Sequence, residues 1–310
     1  MLHALPHLLG VKSMFSSHLI DVENRIRRAM SEVGIAPPES IRIDGEIHRF
    51  DVDRRGDQAG WYCFFTGAFV AGTFGNWKTG ESHKWIARNV NALSSGRVAE
   101  YQQSIAQDKY YREQKRKQDQ KQIAIEAQSI WAGYSPAPES HPYLKRKGIK
   151  PHTLKIAGDL LVVPIFLEDQ IVSLQYIAST GRKKFLKGGR IKGAYSLIGD
   201  VKSAPVILIC EGYSTGATLY EELGVPVYCA LCANNLKEVA KTVRAKYPES
   251  ELVIAGDNDH ATEGNPGLKY ARDAAIATHA KCVIPDFSGI EASEKDTDFN
   301  DRRRLAGSIV

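Results

Sequence analysis

Three acidic residues at the ends of two apolar runs constrain this chain more than any other feature of its sequence. Glu211 follows the run Val206–Cys210, and Asp257 and Asp259 follow the run Leu252–Gly256. Short runs rich in Val and Ile are typical of buried parallel strands. Because ligands of an open α/β sheet bind beyond the carboxyl ends of its strands, we expect the three carboxylates to face one crevice.

The charge of these acids indicates what the crevice binds. Two carboxylates about 4 Å apart repel each other by roughly 4 kcal/mol at an effective dielectric constant of about 20. A cation is therefore needed to hold three of them together. Because carboxylate oxygens are ligands that Mg²⁺ prefers, the sequence predicts a divalent-metal site that serves phosphate chemistry.

The residues after Ala204 alternate regularly between predicted strands and predicted helices. The strands are Val206–Cys210, Val227–Leu231, Leu252–Gly256 and Cys282–Pro285, and the helices are Ser214–Leu223, one that starts near Asn234 and Asn235 and stops at Pro248, and Gly267–Ala280. Repeated βα units of this length imply right-handed crossovers and a parallel sheet. We therefore predict an α/β fold for this part of the chain.

The sequence before Ala204 changes character several times. His18–Val33 has the periodicity of an amphipathic helix, Ile41–Trp85 has the short alternating runs of a small antiparallel sheet, and Arg97–Ala132 has neither Gly nor Pro and reads as a solvated helical connector. Leu160–Phe166 and Ile171–Ile177 read as paired strands. The predicted division is a tail at 1–17, an N-terminal α+β domain at 18–95, a charged helical linker at 96–138, a small mixed α+β subdomain at 139–203 and an α/β domain at 204–310.

Composition narrows the class of protein. The chain has 310 residues, of which 43% are hydrophobic and 25% charged, as in ordinary globular proteins, and its net charge of +5 mildly favours a polyanionic partner. No apolar run approaches the length of a membrane span, and the first ten residues lack the cationic start of a signal peptide. Five cysteines, most of them in apolar runs, suit the reducing cytoplasm, where we expect the protein to act.

The glutamate and the Asp-x-Asp pair resemble the Toprim domain shared by DnaG-type primases, type IA and type II topoisomerases and some nucleases. The pattern is a strand that ends in Glu-Gly, here Glu211-Gly212, and a second strand that ends in Asp-x-Asp, here Asp257 and Asp259. In that family these acids bind divalent metals, and the resemblance implies the same role here. It also implies a Rossmann-like parallel sheet with flanking helices.

A later acidic segment is similar to a further motif of primase Toprim domains. This segment is Lys295–Asp301, which follows the last predicted strand. The resemblance implies that Asp298 is the best candidate for an additional metal contact, with Asp301 second. A polar, solvated loop is the alternative reading of the same residues.

The segment upstream of the acids discriminates within the family. Residues 160–190 look like the subdomain that precedes Toprim in DnaG-type primases, and His141–Ile149 is closest to plasmid- and phage-borne primases. There the subdomain contributes basic residues beside the metal site, which bind nucleotide or template phosphates. The candidates are Lys187, which also receives a catalytic role, then Lys184, Arg190 and Lys183.

The aromatic residues between Asp44 and Trp85 leave two interpretations open. This region is similar to the N-terminal region of mobile-element primases. The aromatic side chains either form a small core or provide a stacking platform for single-stranded DNA.

The resemblance implies a DNA-dependent RNA primase, or its catalytic core, from a plasmid, phage or integrated element. It would join ribonucleoside triphosphates on a single-stranded DNA template with Mg²⁺ or Mn²⁺. The sequence carries no Cys/His cluster for a zinc-binding domain and no Walker-type phosphate loop, so a separately encoded helicase is the expected partner. The alternatives are a Toprim nuclease that uses the same acids and a non-catalytic DNA-binding replication factor.

Overall fold

The computed structural model describes residues 21–66, 70–87 and 95–309. It divides into two compact units, and the boundary between Glu113 and Gln114 falls inside a long helix. The predicted tail at 1–17 lies outside the described residues. The five-part division made from the sequence stays a prediction.

The first unit combines one helix with a four-stranded antiparallel sheet. Helix α1 runs through residues 21–32, and the strands are β1 (His48–Phe50), β2 (Gly60–Thr66), β3 (Val70–Asn76) and β4 (Glu81–Ile86), paired in the order β1-β2-β3-β4. Val22, Ile26 and Met30 recur every four residues along α1, so they share one helix face and are buried in a cluster with Tyr62 and Phe64. The antiparallel sheet predicted from the alternating runs is confirmed.

Helix α2, Ser95–Gly133, crosses the boundary between the units. Ala127 on its last third is fully buried in a cluster with Val162 and Leu174, and Ile130 and Trp131 pack against the same cluster. This part of the helix therefore belongs to the core of the second unit, whereas the sequence predicted a solvated connector throughout. The physical reason is that a few apolar residues near the end of a polar helix form an apolar face, which is sufficient to pack that end against a core.

The second unit begins with a five-stranded antiparallel sheet. Its strands are β5 (Ser135–Pro136), β6 (Lys155–Ala157), β7 (Leu160–Leu167), β8 (Gln170–Ile177) and β9 (Lys183–Phe185), in the order β5-β6-β7-β8-β9, and helix α3 (Pro142–Lys147) lies between β5 and β6 in the chain. The predicted pairing of β7 with β8 is confirmed. Glu168 and Asp169 make the tight turn between them, both with positive φ.

The second sheet of this unit follows the predicted α/β alternation. Its elements are β10 (Ser196–Ile198), β11 (Val206–Cys210), α4 (Tyr213–Leu223), β12 (Val227–Cys229), α5 (Leu236–Lys246), β13 (Glu251–Ala255), α6 (Pro266–Thr278), β14 (Lys281–Val283) and α7 (Phe299–Ala306). The strand order is β10-β12-β11-β13-β14, with β12, β11, β13 and β14 parallel. The α/β prediction is confirmed, and the structure adds the antiparallel edge strand β10 and the last helix, α7.

Close packing fixes α4 on the parallel sheet. A Cβ placed on Gly216 would lie 2.3 Å from Sγ of Cys229 and 3.2 Å from Sγ of Cys210, so only glycine fits at this point of the helix. Both thiols are buried and, like the other three cysteines, free. The described helices include none that is both long and apolar enough to cross a membrane.

Helix α7 is joined to the C-terminal end of α3 by polar contacts. Asp301 forms a 3.0 Å ion pair with Nζ of Lys147, and the side-chain amide of Asn300 donates a 2.7 Å hydrogen bond to the Lys147 carbonyl. The guanidinium of Arg303 donates to the carbonyl of Gly148 at 2.6 Å. The region before β10 and the last helix therefore form one connected structure.

Candidate metal centre

The sheet register brings the predicted acids to one edge. Strands β11 and β13 are parallel neighbours in which Cys210 pairs with Ala255, the last residue of each strand. Glu211 leaves β11 immediately after this pair, and Asp257 leaves β13 one residue further on. Because the two strands end at the same level, these side chains enter the crevice together, as expected for an open α/β sheet.

The electrostatics of the crevice are those of crowded carboxylates. Burial raises the pKa of Asp257 well above its ordinary value, and the charges of Glu211, Asp298 and Asp259 raise it further. Burial likewise raises the pKa of Glu211, although the nearby Lys183 opposes the shift. The carboxylates of four acids therefore repel one another at this edge of the sheet, and a positive charge between them would be stabilising.

The donor chemistry fits a hard divalent cation. Oδ1 of Asp257 is buried and accepts no hydrogen bond in the described part of the chain, a deficit that a bound cation would remove. Carboxylate oxygens are the ligands that such cations prefer. Within residues 21–66, 70–87 and 95–309, however, no three acidic, His or Cys side chains stand close enough to share an ion. The carboxylates would have to turn toward one another to bind it.

Asp259 is tied to the start of α6. Its Oδ2 accepts a 2.8 Å hydrogen bond from the backbone N–H of Gly267, and its own N–H donates to the side chain of Asn265, which caps the helix. A Cβ on Gly267 would lie 2.6 Å from the carbonyl oxygen of Asp257. Asn265 and Gly267 therefore position the Asp-x-Asp loop, a role that the sequence reading missed.

The signal for this cap was present in the sequence. Asn265-Pro266-Gly267 places a favoured N-cap residue directly before a proline at the first helical position. The helix predicted to start at Gly267 starts at Pro266.

Asp298 lies at the start of α7, beside the other acids. It caps this helix through a 2.8 Å hydrogen bond from the Asp301 N–H to Oδ1, and the hydroxyl of Thr215 donates to Oδ2 at 3.0 Å. Burial and the charge of Asp301 raise its pKa, while Lys147 lowers it. Asp301, the second candidate, forms ion pairs with Lys147 and Arg304. The structure therefore brings Asp298 into the crevice and gives Asp301 cationic partners of its own.

Of the four basic candidates, Lys183 is the one that the structure places beside the acids. A Cβ on Gly212 would lie 3.8 Å from its Nζ, and its charge lowers the pKa of both Glu211 and Asp257. Side chains alternate between the two faces of a strand, so Lys183 and Phe185 share one face of β9 and Lys184 points to the other.

The glycines after β9 serve close packing. A Cβ on Gly188 would lie 3.0 Å from Ile123 of α2, and one on Gly189 would lie 2.1 Å from Oγ of Ser173. Lys187 is exposed in the turn just before them. Arg190 lines a groove of about 530 Å³, whose other lining residues are Lys117, Gln120, Lys121, Ala124, Ile125, Gln128, Leu167, Gln170 and Val172. This lining contains cations and no acid.

A second cavity, of about 360 Å³, has among its lining residues Cys232, which lies within range of the charge of Glu211. It is lined by Phe185, Ile191, Lys192, Cys232, Asn234, Asn235 and Glu238. Leu231, which precedes the lining residue Cys232 and has a φ of +66°, donates a 2.7 Å hydrogen bond from its N–H to the carbonyl of Glu211. Burial, and then the charge of Glu211, raise the pKa of Cys232 to about 11. We call this space the side pocket.

Asn235 holds the side pocket in shape. Its side-chain amide donates to the carbonyls of Ala194 and Ala230, both at 2.9 Å, and its Oδ1 accepts a 2.7 Å bond from Gly193 N–H. The amide of the neighbouring Asn234 is exposed and forms no hydrogen bond with another described residue. One asparagine is thus structural, and the other is available to a ligand.

Comparison with known proteins agrees with this geometry. The family described as Toprim domain matches residues 206–308, which begin at β11 and include all four acids. Residues 206–308 form a Toprim domain. Toprim domains in general bind divalent metals, consistent with the carboxylate cluster.

Two curated relatives, both called DNA primase TraC from Escherichia coli, extend the similarity beyond the Toprim domain. One is 32% identical over 292 residues, which cover 88% of this chain and 27% of the relative. The other is 31% identical over 262 residues, which cover 80% of this chain and 18% of the relative. The chain thus spans about a quarter or less of these relatives' length. The resemblance to Toprim-domain primases inferred from the sequence is confirmed.

Proposed function

We propose that this chain is the catalytic core of a DNA primase that makes short RNA primers on single-stranded DNA. The observation that carries the proposal is the cluster of four acids with Lys183 at the strand ends of the Toprim domain. The similarity to two DNA primases over most of the chain supports it.

Glu211, Asp257, Asp259 and Asp298 would hold the metal, which we propose to be Mg²⁺ or Mn²⁺. When bound, the metal would neutralise charge on the triphosphate and on the departing pyrophosphate. Support comes from the raised pKa of three of these acids and from the unpartnered Oδ1 of Asp257. Asp259 and Asp298 keep their helix-capping bonds, since a carboxylate oxygen has a second lone pair for an ion.

The reaction would be transfer of a nucleotidyl group. The 3′-hydroxyl of one ribonucleotide attacks the α-phosphorus of the next triphosphate, the bond to the bridging oxygen breaks, pyrophosphate leaves and the hydroxyl proton is lost. Lys183 would donate to a phosphate oxygen and hold the triphosphate in line. The basic residues Lys184, Lys187 and Arg190 stay predictions as template contacts, and the cationic groove beside Arg190 supports that role.

The side pocket would receive the base of the incoming nucleotide. Lys183 and Phe185 lie on one face of β9, about 7 Å apart along the strand, so a nucleotide with its phosphates at Lys183 can reach the pocket. The ring of Phe185 would contact the base face, and the amide of Asn234 can donate or accept at the base edge. An amide that presents both a donor and an acceptor suits an enzyme that must accept every base.

The biological setting is also a proposal. We place the protein in the cytoplasm, in replication of a plasmid, phage or integrated element, with a separately encoded helicase as partner. The name of the two relatives, DNA primase, supports the activity, and the helicase partner rests on the sequence argument.

Primer synthesis tests the proposal directly. The protein is incubated with single-stranded DNA, labelled ribonucleoside triphosphates and Mg²⁺ or Mn²⁺, beside Asp257→Asn and the matched control Asp273→Asn, an exposed acid on α6. We expect template-dependent oligoribonucleotides from the wild type and from the control. Asp257→Asn should make at least about a hundredfold less, the scale for loss of a group that stabilises developing charge.

Three other results of this experiment would contradict the proposal. Nicked DNA without synthesis would show a Toprim nuclease. Folded wild-type protein that binds DNA and makes neither product would show a non-catalytic replication factor. Equal synthesis by Asp257→Asn would remove the acids from the proposal.

A further inference from the structure

The sheet of the first unit separates its aromatic residues into two sets. Tyr62, Phe64 and Phe74 point inward and are buried in the core with α1. Trp61 lies on the other face of β2, opposite Gly75 of β3. Every second residue of each strand lies on this outer face. Some aromatic residues of this region therefore form a core, and others lie on a surface.

Two tryptophans and an arginine form a stack at the edge of the outer face. The rings of Trp61 and Trp77 are 5.2 Å apart between centroids and 29° from parallel. The guanidinium of Arg49 lies 5.7 Å from the centroid of Trp77, within reach of a cation–π interaction. Trp77 is still 49% exposed, so it has ring surface left for a further flat partner.

The hairpin that carries Trp77 is held rigidly. The Trp77 N–H donates a 2.9 Å hydrogen bond to the carbonyl of Ala59, and the next residue, Lys78, forms ion pairs of 2.7 Å with Asp53 and 2.9 Å with Asp57. A ring fixed before binding loses little conformational entropy when a ligand stacks on it. The position of Trp77 therefore suits recognition.

Two cations lie on this outer face. Arg49 and Lys84 belong to the outer face, and neither forms an ion pair with a carboxylate in the described part of the chain. Of the acids nearby, Asp57 binds Lys78, and Asp51 accepts bonds from the N–H groups of Gly56 and Gln58. Exposed aromatic rings next to unpaired cations match the faces of bases and the phosphates between them.

We propose that Trp77, Trp61 and Arg49 form a binding site for single-stranded DNA on the first unit. One base stacks on the exposed face of Trp77, and Arg49 and Lys84 contact the flanking phosphates. These residues belong to the first unit and the acids of the Toprim domain to the second, and only the choice of DNA over RNA rests on the proposed primase function. Binding here is independent of sequence, because every base offers a flat face.

Binding of a labelled oligothymidylate to the full chain, measured by fluorescence anisotropy in EDTA, tests the site without metal or nucleotides. Trp77→Ala should weaken binding about tenfold or more, the scale of one lost base stack. Trp77→Phe should recover most of the affinity, since a phenyl ring still stacks. Arg49→Ala should weaken binding and reduce its dependence on salt concentration.

Two control variants are matched to these changes. Tyr270→Ala removes an exposed aromatic ring from α6, and Arg55→Ala removes an exposed cation from the first unit. Both should bind within about twofold of the wild type. Circular dichroism and a thermal melt confirm that each variant is folded.

The inference fails if folded Trp77→Ala binds like the wild type, or if Tyr270→Ala weakens binding equally. Tighter binding of duplex DNA, or of oligouridylate RNA, would also overturn it. Primer synthesis is scored separately. If the chain binds oligothymidylate through Trp77 but makes no primers, this site stands and the proposed function fails. If the chain makes primers but Trp77→Ala binds like the wild type, the proposed function stands and this site fails.

Discussion

The N–H of Gly267 donates a 2.8 Å hydrogen bond to Oδ2 of Asp259, which joins the first turn of α6 to an acid of the crevice. A Cβ on Gly267 would lie 2.6 Å from the Asp257 carbonyl, so Gly267→Ala must displace the loop that carries both aspartates. We expect roughly 1–3 kcal/mol lower stability, the range for overpacking, and weaker metal binding. Urea unfolding and Mn²⁺ titration measure the two effects.

The control for this change is Gly133→Ala. No atom lies within 4 Å of a Cβ at Gly133, so neither stability nor metal binding should fall. Normal Mn²⁺ affinity in Gly267→Ala would contradict the positioning role of this glycine.

Neutralising Asp257 should have opposite effects on stability and on function. Without metal, Asp257→Asn removes a buried charge that Glu211 and Asp298 repel, so we expect it to be more stable than the wild type by about 1 kcal/mol. With Mg²⁺ the wild type should gain thermal stability and the variant should not, because the variant has lost a ligand. Melts with EDTA and with Mg²⁺ measure both, with Asp273→Asn as the control. A less stable variant in EDTA would contradict the electrostatic account.

The difference in stability between Asp257→Asn and the wild type should depend on pH. Because the folded chain raises the pKa of Asp257, it binds this proton more tightly than the unfolded chain does. Ionisation therefore costs stability from the ordinary carboxyl pKa of about 4 upward, and the full cost is present above the raised pKa. We expect the stability gain of Asp257→Asn in EDTA to be largest at neutral pH and to vanish toward pH of about 4. Urea unfolding across this pH range measures the stability gain. A gain that grows as the pH falls would contradict the raised pKa of Asp257.

Adjacent lysines on β9 should differ in their effect on catalysis. Lys183 faces the acids and Lys184 faces away. Lys183→Ala should raise the KM for triphosphate or lower kcat by roughly tenfold to a hundredfold, the loss of one charged hydrogen bond, whereas Lys184→Ala should change either by less than about threefold. Steady-state primer synthesis compares the two variants. A larger loss from Lys184→Ala would reverse the orientation that we assign to the strand.

The side pocket should act on binding of the base. Removal of the Asn234 amide is expected to raise the KM for ribonucleoside triphosphates about tenfold and to leave kcat nearly unchanged, since a lost hydrogen bond to the base affects the ground state and the transition state alike. Inhibition by inorganic tripolyphosphate, which has no base, should be the same as in the wild type. Lys237→Ala, which changes an exposed residue at the start of α5, is the control. Weaker tripolyphosphate inhibition in Asn234→Ala would place this amide at the phosphates.

The α/β sheet and the place of the acids could be predicted because both follow from local pattern. Apolar strands such as Val206–Cys210 carry a strong signal, and the topology of parallel strands fixes where Glu211 and Asp257 emerge. The match of the Toprim family to residues 206–308 confirms the predicted fold, whereas the role of the acids stays a prediction.

The contacts between distant segments could not be predicted in the same way. Lys183 ranked last among the four basic candidates because nothing local distinguishes it from Lys184 or Lys187. Only the pairing of β9 with β8 and the approach of β9 to Gly212 give it its place. The close packing of Gly188 and Gly189 could not be predicted either, because their neighbours across the fold are Ile123 and Ser173.

The contacts of α7 with the C-terminal end of α3 have a consequence for how such proteins can be recombined. Asp298 starts α7, and Asp301 and Arg303 of the same helix bind Lys147 and Gly148. A chimaera that takes residues 206–308 from one relative and the preceding subdomain from another would separate the two halves of these contacts. A crossover placed before α3, ahead of His141, keeps them within a single parent.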